Sequence, residues 1–354
     1  METVHVDLGP SSYAIRIATG LLDHIREYLD QAEGWVVITD EVVDALYGSR
    51  LGQALGDTAS RVVISQGEKA KNLKTVGGIL GKMLDLGLTR RSAVIALGGG
   101  VVGDVAGFCA SIYMRGIPFV QVPTTLLAQV DSSVGGKTGV NLPGGKNTVG
   151  SFYQPRGVLI DPDTLNTLPK RQLVSGVAEV IKYGVVYDHG FFGYLQEHFA
   201  DLLRLDEKVV ARVIKRCCEI KAEVVAKDEE EMGLRKILNC GHTVGHALET
   251  VTAYQQYTHG EAVMLGLYLE TRMAEALGFA DPSYGYEILT LLGKTGVNLT
   301  LDGDLVDELV GSMTADKKNR GGRISFVLPA GKGTTREVLL TVQEITELLR
   351  TMAK

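Results

Sequence analysis

Short apolar runs, separated by helix-like stretches, fill the first half of the chain and most strongly constrain its fold. The runs occupy residues 35–40, 61–64, 93–97, 119–123 and 158–161, and a helical period spans residues 73–86. Uninterrupted apolar runs are typical of parallel strands that are covered on both faces. Their alternation with helices predicts an α/β, Rossmann-like domain with a mainly parallel sheet. Alternating residues around Gly9-Pro10 add a predicted hairpin.

The pattern changes after residue 161, where helical periods dominate. They cover residues 173–186, 202–227, 241–252, 262–277 and 338–352, and only residues 323–328 look like a strand. Pro162 and Pro169 interrupt the chain at this change, and a length of 354 residues favours about two domains. We therefore predict an α/β domain over residues 1–165 and a mainly α-helical domain over residues 166–354.

Charge, cysteine usage and hydropathy restrict the classes of function. A net charge of -6 argues against a general nucleic-acid surface, which needs a basic face. The four cysteines form no CxxC pair, which fits reduced thiols in the cytoplasm. The first residues lack the apolar core of a secretory signal, and no stretch reaches the ~18 apolar residues of a membrane span. The sequence thus predicts a cytoplasmic protein that binds neither nucleic acid nor membranes.

A glycine-rich turn follows the strand predicted at residues 93–97 and opens a helix. Gly98, Gly100 and Gly103 satisfy G-x-G-x-x-G, a pattern that brings backbone N–H groups close to a pyrophosphate. A tight strand-to-helix turn without a ligand is an equally simple interpretation. Asp40 ends an earlier strand and could bind a ribose, although the acid of a standard Rossmann unit lies ~20 residues after the glycines. Asp40 could equally be a cap or turn residue.

Three histidines within a short segment indicate a metal site. His242 and His246 are four residues apart, so they share one helix face, and His259 follows closely. Glu179 lies among apolar residues at a helical period and is a fourth candidate, unless it lies on an amphipathic edge. Spacing alone does not say which three of these four groups bind the metal.

Basic residues in glycine-rich surroundings indicate an anion site. Lys137 follows Gly135-Gly136, and Lys146 follows Gly144-Gly145, so both lie in predicted loops. Ammonium groups and backbone N–H groups together bind anions. With Arg115 and Arg235 they favour a substrate that carries a phosphate and a carboxylate.

Separated blocks across almost the entire chain resemble the 3-dehydroquinate synthase family of sugar-phosphate cyclases. They lie between Gly67-Glu68-Lys69 and Asp316-Lys317-Lys318-Asn319, in the order residues 98–147, GVAEVIKYG at 176–184, LNCGHTVGHALE at 238–249 and HGEAV at 259–263. The resemblance implies that residues 1–165 bind NAD and residues 166–354 bind metal and substrate. It also implies a homodimer.

The resemblance assigns roles residue by residue. It implies three metal ligands, Glu179, His242 and His259, and makes His246 a substrate contact rather than a ligand. The implied cofactor contacts are Asp40, Glu68, Lys71, Gly99, Gly100, Asp104, Thr124, Thr125, Lys137, Lys146 and Thr167. The implied substrate-site residues are Arg115, Asp131, Lys137, Lys146, Asn147, Lys182, Lys221, Arg235, Asn239 and Lys317.

The implied reaction converts 3-deoxy-D-arabino-heptulosonate 7-phosphate into 3-dehydroquinate and phosphate, the second step of the shikimate pathway. Transient oxidation by NAD at C5 acidifies the neighbouring C–H, phosphate is eliminated, the hydride returns, and an intramolecular aldol closes the ring. A zinc or cobalt ion would polarise the C5 oxygen, and His246 would shuttle its proton. The alternatives are another sugar-phosphate cyclase, a metal-dependent polyol dehydrogenase of related fold, and a non-catalytic nucleotide-binding module.

Overall fold

The computed structural model describes residues 1–56, 59–143, 145–315, 319–320 and 322–354. It separates into two compact units, of which the first comprises residues 1–169 and 207–230 and the second comprises residues 170–206 and 231–354. The division of the sequence at residues 165 and 166 stays a prediction.

Strands and helices alternate through the first unit, whereas helices dominate the second. The strands are β1 (Glu2–Val6), β2 (Tyr13–Ile17), β3 (Trp35–Asp40), β4 (Ala59–Ile64), β5 (Ala93–Gly98), β6 (Phe119–Pro123), β7 (Lys137–Leu142), β8 (Gly145–Phe152), β9 (Gly157–Ile160), β10 (Asn319–Arg320), β11 (Arg323–Gly331) and β12 (Thr334–Thr341). The helices are α1 (Glu41–Val43), α2 (Ser49–Leu55), α3 (Leu73–Asp85), α4 (Gly100–Ile112), α5 (Lys170–Val186), α6 (His189–Leu203), α7 (Glu207–Lys227), α8 (His242–Val251), α9 (His259–Ala276), α10 (Pro282–Gly293), α11 (Val306–Ala315) and α12 (Val342–Met352).

The first unit is built on a seven-stranded sheet in the order β1-β2-β9-β6-β5-β3-β4. All neighbouring pairs are parallel except β1 and β2, which form an antiparallel hairpin with Val4 opposite Ile15. The predicted α/β class, the mainly parallel sheet and the hairpin are therefore confirmed.

Two apolar layers cover the sheet, one on each face. Along β3, Trp35 and Val37 pack with the segment around Leu21 and α2, while Val36 and Ile38 pack with α3 and α4. This alternation follows from the two-residue period of a strand. Because both faces are covered, all six residues of β3 are buried, which explains the uninterrupted apolar run in the sequence.

The hairpin formed by β7 and β8 is not among the sequence predictions. Its strands carry glycines, lysines and asparagines, and the register shifts between Val140 and Leu142. Such strands lack a regular apolar alternation, so they resemble loops in the sequence. Lys137 and Lys146 consequently lie on strands rather than in the glycine loops that the sequence predicted, which corrects that prediction.

The second unit packs α8, α9, α11 and α12 with a three-stranded antiparallel sheet, β10-β11-β12, around one apolar core. Its mainly helical character confirms the prediction, but two details were wrong. Residues 338–341, which the sequence assigned to the last helix, belong to β12, and residues 204–206 separate α6 from α7, with Leu205 at φ 59. Among the described residues, no helix is both long and apolar enough to span a membrane.

Candidate active site

Three neighbouring parallel strands carry predicted cofactor residues at their carboxyl ends. β3 ends at Asp40, β5 ends in the glycine turn, and β6 is followed by Thr124. After β3 the chain forms the edge strand β4 and then returns on the other side of β3 as β5. The sheet therefore has a topological switch between β3 and β5, which is where open α/β sheets bind ligands.

The glycine turn allows both close packing and anion binding. Gly99 is the N-cap of α4, and no side chain in the described part of the chain caps this helix start. The first-turn N–H groups are thus available to an anion, which the helix dipole also favours. A Cβ at Gly100 would lie 2.9 Å from Oγ of Ser132, and one at Gly103 would lie 2.7 Å from Oε1 of Gln121. The structure is therefore compatible with both interpretations of this turn, a pyrophosphate site and a tight strand-to-helix turn.

Asp40 caps a helix, which is one of the two roles that the sequence left open. Its Oδ1 accepts hydrogen bonds from the backbone N–H groups of Val42 and Val43, each at 3.0 Å. Both bonds use the same oxygen, so the cap leaves Oδ2 for a further donor such as a ribose hydroxyl.

Lys71 links two predicted cofactor contacts to a predicted substrate contact. Its buried ammonium donates to Oδ2 of Asp104 and to Oδ1 of Asn147, each at 2.5 Å. Burial raises the pKa of Asp104, and the positive charge of Lys71 opposes that effect. The structure thus brings together residues that the sequence assigned to two different ligands.

Lys221 and Asp131 form a second pair within the first unit. Nζ of Lys221, on α7, donates to the backbone oxygen of Asp131 at 2.5 Å and to its Oδ1 at 2.8 Å. The two residues are 90 positions apart, and both were implied as substrate-site residues. Their contact fixes the position of an ammonium group that is itself nearly inaccessible to solvent.

Five other residues implied in the first unit lie outside these two pairs. Oγ1 of Thr167 lies 2.5 Å from the hydroxyl of Tyr47, and Oγ1 of Thr125 accepts from the backbone N–H of Ala128. Lys137 is exposed at the start of β7, and Lys146 lies on β8. Arg115 is exposed and has φ 70, a left-handed conformation of the kind that clusters at functional sites.

Glu179, His242 and His259 form a group in the second unit that could hold a metal ion. Their candidate ligand atoms all lie within 4.8 Å of one another. Oε1 of Glu179, on α5, lies 3.6 Å from Nε2 of His242 and 3.9 Å from Nε2 of His259. Two imidazoles and one carboxylate are a common donor set for zinc and cobalt.

Neighbouring acceptors orient both imidazoles toward Glu179. Nδ1 of His242 lies 3.2 Å from the backbone oxygen of Cys240, and Nδ1 of His259 lies 3.4 Å from Oε2 of Glu249. When each Nδ1 carries the proton, each Nε2 presents a lone pair to the centre of the group. Metal-binding histidines typically have such partners, which fix the tautomer and the ring orientation.

The charges in this group fit a bound cation. Glu179 is fully buried, and neither of its carboxylate oxygens accepts a hydrogen bond from a described residue, although Lys182 forms an ion pair with Oε2. Burial, reinforced by the charges of Lys182, His246 and His259, holds the pKa of His242 well below its usual range. A neutral imidazole beside a buried carboxylate is the form that ligates a divalent ion.

His246 lies beside this group on the same face of α8. Its ring centroid is 5.2 Å from that of His242, as the four-residue spacing predicted. A second possible ligand group joins His246 with Glu249 and His259. His246 therefore lies close to the group of Glu179, His242 and His259. The distances alone do not decide which of the two groups holds a metal ion.

Three implied substrate-site residues remain, and the structure describes two of them. Arg235 is buried, and Nδ2 of Asn239 donates to Oε1 of Glu231 at 2.6 Å. Lys317 lies outside the described residues. Sequence reasoning missed Glu249, although its spacing of three and seven residues from His246 and His242 places all three on one helix face.

Two family models together match residues 61–319 of the chain. The model described as 3-dehydroquinate synthase N-terminal matches residues 61–175, and the model described as 3-dehydroquinate synthase C-terminal matches residues 176–319. The boundary between the two matches falls inside α5, four residues before Glu179.

Curated relatives match the chain along nearly its whole length. A 3-dehydroquinate synthase of Alkaliphilus metalliredigens is 55% identical over 352 residues, which cover 99% of each protein. A 3-dehydroquinate synthase of Caldanaerobacter subterraneus subsp. tengcongensis is 45% identical over 99% of this chain and 100% of the relative.

Solved structures of related cyclases share the fold. A 2-deoxy-scyllo-inosose synthase, solved with carbaglucose-6-phosphate, NAD+ and Co2+, is 26% identical with a TM-score of 0.91 over 99% of this chain and all of the other. The 2-epi-5-epi-valiolone synthase ValA of Streptomyces hygroscopicus subsp. jinggangensis, solved with NAD+ and Zn2+, is 29% identical with a TM-score of 0.88 over 96% of each chain. A sulfoacetaldehyde reductase of Bifidobacterium kashiwanohense, at 17% identity and a TM-score of 0.70, shares the fold alone.

Proposed function

Because the chain belongs to the 3-dehydroquinate synthase family, we propose that it converts 3-deoxy-D-arabino-heptulosonate 7-phosphate into 3-dehydroquinate and phosphate. It is then a phosphorus–oxygen lyase of the shikimate pathway that uses NAD and one divalent metal ion. The observation that carries this proposal is the buried carboxylate of Glu179, which faces Nε2 of His242 and Nε2 of His259 in a chain 55% identical to a named synthase.

In this proposal, Glu179, His242 and His259 hold the ion. A divalent ion bound there polarises the oxygen of a substrate alcohol and lowers the pKa of its hydroxyl. Glu249 and the carbonyl group of Cys240 keep the two imidazoles in the ligating tautomer. His246, whose ring centroid lies 5.2 Å from that of His242, is placed beside this group, where it can accept or return the hydroxyl proton.

The first unit supplies the nucleotide contacts in this proposal. NAD held by these residues would supply reversible hydride acceptance, so that the overall reaction would have no net oxidation. The first turn of α4, which begins at Gly100, binds the pyrophosphate, and Asp40 binds a ribose hydroxyl through Oδ2. The other proposed nucleotide contacts are Glu68, Lys71, Gly99, Asp104, Thr124, Thr125, Lys137, Lys146 and Thr167.

The basic and amide side chains bind and orient the substrate anions. Arg and Lys side chains neutralise the phosphate and carboxylate, and a fixed orientation favours departure of the phosphate. Asp131 fixes the ammonium of Lys221, and Glu179 pairs with Lys182. The proposed substrate-site residues are Arg115, Asp131, Lys137, Lys146, Asn147, Lys182, Lys221, Arg235, Asn239 and Lys317.

A substrate panel tests the proposed activity. The purified chain, supplied with NAD+ and either zinc or cobalt, is assayed for phosphate release from the heptulosonate phosphate, from a heptulose 7-phosphate that lacks the carboxylate, and from a hexose 6-phosphate. We expect efficient release only from the first, abolished by a chelator and restored by metal. Glu179→Gln should be inactive, whereas Glu347→Gln, an exposed carboxylate on α12, should match the parent protein.

Another sugar-phosphate cyclase activity is the second candidate. The TM-score of 0.91 with 2-deoxy-scyllo-inosose synthase favours it, because the shared fold supports more than one cyclisation. Preferred turnover of the hexose phosphate, or of the heptulose phosphate without a carboxylate, would establish it in place of the synthase activity.

We also propose that the protein is a cytoplasmic homodimer. The homodimer rests on the family resemblance, and the cytoplasmic location rests on the reduced thiols of four buried cysteines, Cys109, Cys217, Cys218 and Cys240. Light scattering during gel filtration should give twice the chain mass of 38.1 kDa. A mass of one chain would contradict the homodimer.

A further inference from the structure

Asn141, which lies on β7, connects two groups of residues that the proposed function assigns to different ligands. Its backbone N–H donates to the backbone oxygen of Lys71 at 2.9 Å, and it forms a bridge with Asn72. The register shift between Val140 and Leu142 frees Asn141 from the regular β7–β8 pairing, which allows this contact. The hairpin is thereby attached to the turn at residues 68–72.

The side chain of Asn141 strengthens the same connection. Its Nδ2 donates to Oε1 of Glu68 at 2.8 Å, and its Oδ1 accepts from the backbone N–H of Asn147 at 2.8 Å. A carboxylate only accepts and a backbone N–H only donates, so the orientation of the amide is fixed. The amide group of Asn141 therefore hydrogen-bonds to two different segments, through its NH2 group to Glu68 and through its oxygen to Asn147.

Lys71 contacts the side chain of Asn147 directly. Its ammonium donates to Oδ1 of Asn147 as well as to Asp104. Because an ammonium cannot accept, the amide oxygen of Asn147 must face Lys71, and its NH2 group points elsewhere as a donor. An NH2 donor is what an anionic phosphate oxygen requires. Asn147 also has φ 52, a left-handed conformation that the surrounding contacts must maintain.

We propose that Asn141 is a positioning residue that couples binding of the nucleotide at Glu68 and Lys71 to binding of the phosphorylated substrate at Asn147. The inference rests on the proposed function, since that function assigns the two ligands. A nucleotide that fixes Glu68 and Lys71 also fixes Asn141 and Asn147 in the conformation that donates to phosphate. By linkage, phosphate must strengthen nucleotide binding by the same factor.

Isothermal calorimetry with inorganic phosphate and NAD+ as probes tests the coupling in the metal-loaded protein. In the parent protein, we expect saturating NAD+ to strengthen phosphate binding by about tenfold. Asn141→Asp retains the acceptor for Asn147 but places a second carboxylate against Glu68. In this variant the coupling factor should fall close to one, while phosphate alone binds nearly as in the parent protein.

Matched variants keep the test decisive. Thr148→Ser changes an exposed side chain on the same hairpin and should keep the full coupling factor. The double variant Glu68→Gln/Asn141→Asp restores a donor toward residue 141 and should regain coupling relative to Asn141→Asp, with Glu68→Gln alone as the reference for direct loss of the nucleotide contact. Retained metal content and an unchanged melting temperature show that the fold is intact.

Several outcomes would overturn the inference. They are the absence of coupling in the parent protein, full coupling in Asn141→Asp, and no recovery in the double variant although Glu68→Gln alone retains coupling. These outcomes are separate from failure of the proposed function, because phosphate release from the heptulosonate phosphate is measured on the parent protein. Release by the parent together with normal coupling in Asn141→Asp would reject only the role of Asn141.

Discussion

Individual residues of the histidine group have different expected roles, although they share one helix face. His242 points Nε2 toward Glu179, whereas His246 lies beside this pair. We therefore expect His242→Ala to lose the metal, and His246→Ala to keep the metal but lower kcat by about 10²-fold or more, as loss of a proton-transfer group does. Metal analysis and steady-state kinetics of both purified variants check this. Equal metal loss in the two variants would contradict the assignment.

Glu249 should influence metal affinity without being a ligand of the proposed ion. Its Oε2 orients the ring of His259 from the side opposite Glu179. Glu249→Gln weakens the contact that orients this imidazole, so the dissociation constant for zinc should rise by about 10- to 100-fold. Competition with a chelator of known affinity measures the change, and Thr250→Ala on the same helix is the control. An unchanged zinc affinity would remove Glu249 from the site.

Residue-scale features were predictable where they depend on local spacing. The four-residue separation placed His242 beside His246, and the glycine pattern marked the start of α4. The function of Asn141 was not predictable, because it depends on a register shift and on a contact with Lys71, 70 positions away in sequence. Neither feature leaves a periodic signal in the chain.

At the scale of elements, a close contact between α5 and α9 holds Glu179 near His259. A Cβ at Gly260 would lie 1.9 Å from the backbone oxygen of Ser175. Gly260→Ala must therefore separate the two helices, and overpacking of this kind typically costs about 1–3 kcal/mol. We expect reduced unfolding free energy and weaker metal binding.

Gly193→Ala is the matched control for this prediction. Gly193 lies inside α6, and a Cβ there would meet nothing within 4 Å. Alanine favours helix more than glycine does, so this variant should be neutral or stabilised by up to about 1 kcal/mol. Chemical denaturation and zinc titration compare the two. If Gly260→Ala is as stable as Gly193→Ala and binds zinc normally, the close contact does not position the site.

The start of α9 should respond to pH through Glu261. Burial raises the pKa of Glu261, but hydrogen bonds from Arg171 and from the backbone of Thr258 outweigh it, so the pKa lies below the ordinary value of 4.5. The lowered pKa means that Glu261 contributes stability that is complete above pH 4.5. This contribution is lost as the pH falls through the lower pKa of the folded state.

Chemical denaturation across a pH series checks this expectation. The difference in unfolding free energy between the parent protein and Glu261→Gln should be constant near neutral pH and shrink below pH 4.5. A difference that does not change with pH would show that the start of α9 is insensitive to this charge.

Elements were predictable when their pattern was regular. β3, β5 and β6 are buried on both faces and were found as apolar runs, whereas β8 and β12 are partly exposed and lack a clear alternation. The sequence therefore assigned residues 338–341 to a helix, because the strong helical period of α12 begins directly after them.

At the scale of the whole molecule, the sequence predicts the fold class and the family, but it predicts the candidate site only in part. Both units of the structure have the architecture that the apolar and helical periods predicted. Metal and nucleotide residues come from segments far apart in sequence, so family resemblance, rather than spacing, assigned most of them. Contacts such as Lys71 with Asn147 require the folded chain.

The ratio of NADH accumulated to phosphate released distinguishes a cyclase without net oxidation from a dehydrogenase. The substrate is heptulosonate phosphate in large excess over NAD+. We expect many phosphates to be released for each NAD+, with no lasting absorbance from NADH. Accumulation of one NADH for each turnover, or oxidation of the substrate without phosphate release, would identify a dehydrogenase and contradict the account.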